Sequence, residues 1–138
     1  MNRQELQELS RIRRQEAATL LKAKHYSGAY YLLGYSVECA LKACIAKQTN
    51  RYDFPNKEIA NKAYVHNLEE LIKLAGLKND LDKDFKNSKT LELNWSVVKD
   101  WNEASRYLCT IAPKYAKDLY SACTSRKNGI LSWIKTKW

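Results

Sequence analysis

Among the side chains able to do chemistry, the chain holds two histidines, His25 and His66, the residues whose ordinary pKa allows proton transfer near neutral pH. His66 stands just before a helix start at Asn67, where backbone donors favour anions. Arg51-Tyr52 and Arg106-Tyr107 each place a cation next to an aromatic ring, a pairing that suits a phosphate and a base respectively. A metal-independent ribonuclease needs a base for the 2′-hydroxyl proton and an arginine for charge on the phosphate, which makes Arg106, His66 and Tyr107 the catalytic candidates. Arg51, Tyr52, Arg106 and Arg126 are the candidates for binding nucleic acid or nucleotide. Each has a plainer role to set against it: a turn hydrogen bond for either histidine, and a loop pinned onto the core by Tyr52.

Other chemistries find no motif here. The chain has no G-x-S-x-G elbow, phosphate-binding glycine loop, H-E-x-x-H, dinucleotide fingerprint or tight carboxylate pair. Cys39, Cys44, Cys109 and Cys123 show no zinc spacing, and Cys44 and Cys123 fall in apolar stripes, as small core residues do. No metal and no cofactor is expected. Reduced thiols, a polar and charged N-terminus and the lack of a long apolar run point to a cytoplasmic protein with no membrane span.

A length of 138 residues suits one domain, residues 1–138, and 45% hydrophobic content supports a packed core. Two prolines and four glycines leave few helix breakers, so an all-helical fold is expected. The net charge of +9 makes a polyanion the first partner to consider, although by itself it licenses only non-specific attraction.

The element that must position these residues is a helix over 27–48. At 100° per residue it gathers Ala29, Leu33, Val37, Ala40 and Cys44 on one face, flanked by Leu41 and Ile45. Tyr31, Tyr35, Glu38 and Lys42 form a second face, and two tyrosines there imply partial burial. Gly34 costs about 1 kcal/mol against alanine inside a helix, so a neighbour is expected to approach closely at that point. Two faces on one long helix describe the centre of a bundle, with Ser27 as its N-cap.

Around it, residues 2–24 read as an amphipathic helix with a cluster of Arg11, Arg13 and Arg14, a solvated face or a phosphate patch. Residues 49–65 lack helical periodicity. Asn67 and Gly76 bracket a short helix, and a break is expected at Asn87-Ser88. From Asn94, a stripe of Val97, Trp101, Ala104 and Leu108 sets Trp95, Lys99, Asn102 and Arg106 on the opposite side, where Trp95 either is covered by a second helix, the ordinary explanation, or serves an interface or clamps a base. Pro113 can open a last helix with Arg126 inside its apolar arc, where it is either a partly buried charge with a partner such as Glu38 or the mark of an interface. Asn128-Gly129 either interrupts that helix or is carried through it.

Three strings resemble a known superfamily. Gly28-Ala29-Tyr30-Tyr31-Leu32-Leu33-Gly34-Tyr35-Ser36-Val37-Glu38-Cys39-Ala40-Leu41-Lys42-Ala43 is similar to the second-helix signature of HEPN (higher eukaryote and prokaryote nucleotide-binding) domains. His66-Asn67-Leu68-Glu69-Glu70-Leu71 and Trp101-Asn102-Glu103-Ala104-Ser105-Arg106-Tyr107 resemble later segments of that superfamily, and the likeness runs from Ala17 to Trp133. It implies an antiparallel bundle of four main helices with additional short ones, commonly a homodimer. Such proteins serve toxin–antitoxin, phage-defence and RNA-processing systems, often beside a nucleotidyltransferase-like partner. Ribonuclease members carry an arginine and a histidine four to six residues apart. Here Arg106 matches the arginine-bearing region, but no histidine follows it, and neither His25 nor His66 lies at that distance after an arginine.

The expectation is therefore a HEPN-like module that binds RNA, nucleotide or a protein partner without the standard ribonuclease site. A metal-independent endoribonuclease with an atypical site and a structural interaction subunit are the alternatives. Tyr31, Gly34, Tyr35, Glu38, Lys42, Trp95 and Trp101 are expected to serve structure or an interface.

Overall fold

The computed structural model describes residues 1–48, 61 and 63–138, so the calls on Arg51 and Tyr52 lie outside the described residues. Those residues form an all-α, multi-helix bundle, with no strand among them. In chain order the helices are α1 (Arg3–Lys22), α2 (Tyr26–Gln48), α3 (Leu68–Leu74), α4 (Lys78–Asn87), α5 (Lys89–Val98), a 3-10 turn (Glu103–Tyr107), α6 (Pro113–Thr124) and α7 (Ile130–Lys135).

Helix α1 opens on a capping box: the Glu5 amide donates to Asn2 Oδ1 at 2.8 Å and the Asn2 amide donates to Glu5 Oε2 at 2.9 Å. Two otherwise orphaned donors are thereby satisfied, a device worth about 1 kcal/mol. Its other end closes through Lys24, which takes a positive φ of 66° while the His25 amide reaches back to the Leu20 carbonyl at 2.8 Å. Helix α2 then starts at Tyr26, one residue before the expected cap. Ser27 is not an N-cap; its hydroxyl donates to the Cys109 carbonyl at 3.1 Å and ties the hairpin to the segment after the 3-10 turn.

Contacts of Leu20 with Gly28 and of Ser10 with Ser36 run α1 and α2 antiparallel. The serine pair is reciprocal and buried, Ser10 Oγ donating to the Ser36 carbonyl at 2.8 Å and Ser36 Oγ to the Ser10 carbonyl at 2.7 Å. Small side chains let the two backbones come close, and each hydroxyl finds a partner inside the seam.

Helix α2 packs against α1, α3, the 3-10 turn, α6 and α7. Twelve of its residues are buried, spread over both faces, as a central helix requires. One apolar core runs from Ala17 of α1 through Leu33, Val37 and Leu41 to Ile134 of α7.

Gly76 ends α3 as expected, with φ at 72° and the Leu77 amide bonded to the Ile72 carbonyl at 3.1 Å. Ser88 provides the break between α4 and α5 and caps α5, accepting from the Leu91 amide at 3.1 Å. Beyond it the expected stripe is corrected. Leu91, Trp95 and Val98 form the buried face of α5, whereas Val97 is 38% and Leu108 50% exposed. The physical reason is a turn at Lys99-Asp100, closed by the Trp101 amide on the Val98 carbonyl at 3.1 Å, which resets the helical phase before Trp101.

Pro113 occupies the first turn of α6, which ends at Thr124. The chain between α6 and α7 turns on Asn128, at φ 69°. Ser88 Oγ donates to Asn128 Oδ1 at 2.9 Å and Asn94 Nδ2 donates to the Asn128 carbonyl at 2.8 Å, so this turn is pinned to the start and middle of α5. Arg126 lies exposed in this connection, outside any apolar arc, and makes no ion pair with Glu38.

Candidate nucleic-acid interface

The second face of α2 supplies the floor of the candidate site. Tyr31, Tyr35, Glu38 and Lys42 follow one another at intervals of three or four residues and so line up along the helix, with Gly34 three residues after Tyr31 and four before Glu38. Against Gly34 lies the indole of Trp101, so near that a Cβ at position 34 would overlap ring atoms Cδ2, Cε2 and Nε1. That is the close approach which a helical glycine permits. Trp101 also stacks with Tyr31 at 6.2 Å between ring centroids, and Tyr31 with Tyr35 at 6.1 Å and 10° between planes. Three rings thus form a continuous ladder, with centroid spacings inside the offset-stacked range.

Two cations flank the ladder, Arg106 beside Tyr31 and Arg13 beside Tyr35. Arg106, on the exposed 3-10 turn, places its guanidinium 4.8 Å from the centroid of Tyr107. Hydrogen bonding by Tyr107, and then by Tyr31, holds that guanidinium even more firmly in its charged form. Arg13 of α1, hydrogen-bonded to Glu16, lies near Tyr35 and works against the rise in that phenol's pKa, a rise caused first by burial and then by Cys39 and Glu38. Tyr35 therefore stays a neutral phenol near physiological pH.

One turn beyond Gly34, Glu38 is only 1% exposed. A buried carboxylate needs partners, because desolvating the charge costs several kcal/mol. Its Oε1 meets Lys42 Nζ at 3.1 Å and is hydrogen-bonded to His66 Nδ1, across 28 residues of chain. The His66 side chain remains 44% exposed, so Glu38 holds the inner edge of a ring whose outer edge faces solvent. Glu38 Oε2, Trp101 Nε1 and Ser105 Oγ are buried without a hydrogen-bond partner among the described residues.

Burial pushes the thiols of Cys39 and Cys44 up to about 11 and that of Cys123 up to about 12. As protonated core groups they offer no nucleophile. Among the described residues no group of three or more His, Cys, Asp or Glu is placed to hold a metal ion.

The chain matches no protein-family model, no curated protein and no solved structure.

The structure brings Tyr31, Gly34, Tyr35, Glu38, Lys42, His66 and Trp101 together and sets Arg106 and Tyr107 at the rim. His66 is bonded to Glu38, with no hydrogen bond to Arg106 or Tyr107. Trp95 is 4% exposed and belongs to the chain's own core, the structural one of the two roles considered for it. His25 is an exposed residue of the α1–α2 turn. Arg13 was missed as part of this surface because arginines at 11, 13 and 14 fan around the helix, and which one faces Tyr35 depends on how α1 docks. No helix among the described residues is long and apolar enough to cross a membrane.

Proposed function

We propose that the chain is a HEPN-like module of a defence, toxin–antitoxin or RNA-processing system that binds RNA or nucleotide at the α2 face, without the standard ribonuclease site. One observation carries this reading: the three separate strings that resemble HEPN domains meet at one place. Glu38 of the first string holds His66 of the second, while Gly34 and Tyr31 of the first receive Trp101 of the third. The same third string presents Arg106 and Tyr107 at the exposed rim. A cation next to exposed and half-buried rings is the combination that grips a phosphate and stacks a base, worth about 1–3 kcal/mol per stacked base. A homodimeric, cytoplasmic protein working with a nucleotidyltransferase-like partner belongs to the same proposal.

The test is binding of a labelled single-stranded RNA across a salt series. Wild type binds with a steep salt dependence, and Arg106→Gln weakens binding and flattens the logarithmic slope by about 0.7, the effect of one lost phosphate contact. Absence of binding by wild type at low salt would refute the nucleic-acid reading.

The contact between His66 and Glu38 favours a second reading, the metal-independent endoribonuclease with an atypical site. A buried carboxylate fixing one ring nitrogen of a half-exposed imidazole is how a general base is oriented. It requires cleavage of single-stranded RNA in the presence of a chelator, lost in His66→Ala. Intact RNA after prolonged incubation with wild type rules it out.

A further inference from the structure

On the flank of α1 turned toward α7, Arg11 and Arg14 line a groove of about 350 Å³ together with Gln15, Ala18 and Lys135. Arg11 and Arg14 stand three apart, with Gln15 and Ala18 each four residues beyond one of them, so all four share one helical face. Lys135 comes from α7, 121 positions after Arg14 (135 minus 14), and folding alone unites them. Among the described residues no acidic side chain lines the groove. Arg11 has an exposed partner outside it, Glu8 at 3.3 Å, a pair of small energetic weight. Neither Arg14 nor Lys135 has an ion pair among the described residues.

Two of the three cations are also held in place. Arg11 lies 5.1 Å and Lys135 5.8 Å from the ring of Trp138, and Arg3 donates to the Trp138 carbonyl at 2.6 Å. Three like charges gathered in one groove repel each other. The pKa of Lys135 is lowered first by burial and then by the charges of Arg14 and Arg11. An anion in the groove relieves that repulsion. Ala18 leaves room for it on the wall, and Gln15 adds an uncharged amide donor.

We infer that the groove of Arg11, Arg14 and Lys135 is a phosphodiester site for single-stranded nucleic acid, separate from the α2 face. This inference rests on the nucleic-acid reading above and adds a second point of contact to it. Three phosphate contacts contribute about 2 to the logarithmic salt slope of a single strand. The groove is read as holding backbone phosphates; base stacking is left to the tyrosine ladder.

The experiment measures anisotropy of a labelled single-stranded RNA with the full chain from 50 to 300 mM salt, on the order of the range where such slopes are resolved. Wild type is compared with Arg11→Gln/Arg14→Gln/Lys135→Gln and with the charge-keeping Arg11→Lys/Arg14→Lys, each checked for an unchanged melting temperature. The neutral variant is expected to lose about 2 of slope and roughly tenfold or more in affinity at the lowest salt, with the lysine variant close to wild type. If the neutral variant melts early, Arg14→Gln/Lys135→Gln replaces it, with an expected loss of about 1.4. Wild-type binding with an unchanged slope in the neutral variant overturns the groove and leaves the α2 face standing. No wild-type binding overturns both. Loss of binding to phosphatidylglycerol vesicles with RNA binding intact would assign the groove to a lipid surface and overturn the inference.

Discussion

The indole of Trp101 lies against Gly34, at a separation that leaves no room for a Cβ on the helix. This contact joins the 3-10 turn that carries Arg106 to the central helix, so the geometry of the rim depends on a residue with no side chain.

Gly34→Ala should therefore destabilise by about 1–3 kcal/mol through overpacking, despite alanine's better helix propensity. In a Trp101→Ala background the clash is gone, and the same substitution should become neutral or stabilising by up to about 1 kcal/mol. Urea unfolding of the four proteins gives the coupling directly. Additive effects would contradict the close approach.

Glu38 is buried, whereas its partners Lys42 and His66 can reach water. Removing one partner leaves the carboxylate still paired, but removing both strands a buried charge. The double variant Lys42→Met/His66→Ala should consequently cost more than the sum of the single ones, approaching about 3–5 kcal/mol. Denaturant unfolding at fixed pH checks this, and a sum equal to the parts would mean that the two contacts do not share the carboxylate.

Cys109 is exposed, whereas Cys39, Cys44 and Cys123 are buried with raised pKa values. Alkylation of native protein at mildly alkaline pH should label Cys109 first, as read by peptide mass. A raised pKa favours the folded state below the unfolded thiol value of about 8.5, and that advantage is lost as pH climbs toward the folded values. The raised phenols Tyr30 and Tyr35 act in the same direction, and Lys135, with its lowered pKa, acts in the opposite one. Stability should fall from about pH 9 toward pH 11; a rise over that window would contradict the burial of these groups.

Asn128 holds a left-handed backbone and accepts from Ser88. Asn128→Ala should cost about 1–3 kcal/mol through both losses, and Asn128→Gly less, because glycine removes the strain. Thermal melts rank the two; the reverse order would mean that the turn is not left-handed.

Much of this was legible from residue types. A lone glycine in a long apolar helix announced a close neighbour, and tyrosines at helical spacing announced a half-buried face, because both are local costs that demand a tertiary reason. Which residue answered was not legible: the partner of Glu38 is His66, across the connection, not Arg126, which a continued last helix would have aimed inward. The phase error at Trp95 has the same origin, since the turn at Lys99-Asp100 holds neither proline nor glycine to announce it. The groove of Arg14 and Lys135 is purely a product of docking two helices far apart in the chain.

The central claim, that nucleic acid lies along the α2 face, is tested most directly by ultraviolet crosslinking of single-stranded RNA to the wild-type protein and mapping of the modified peptides. Crosslinks at Tyr107, Tyr31 or Tyr35, weakened in Arg106→Gln, are the predicted result. RNA captured only at residues away from the ladder and its rim, with Arg106→Gln indistinguishable from wild type, would contradict it.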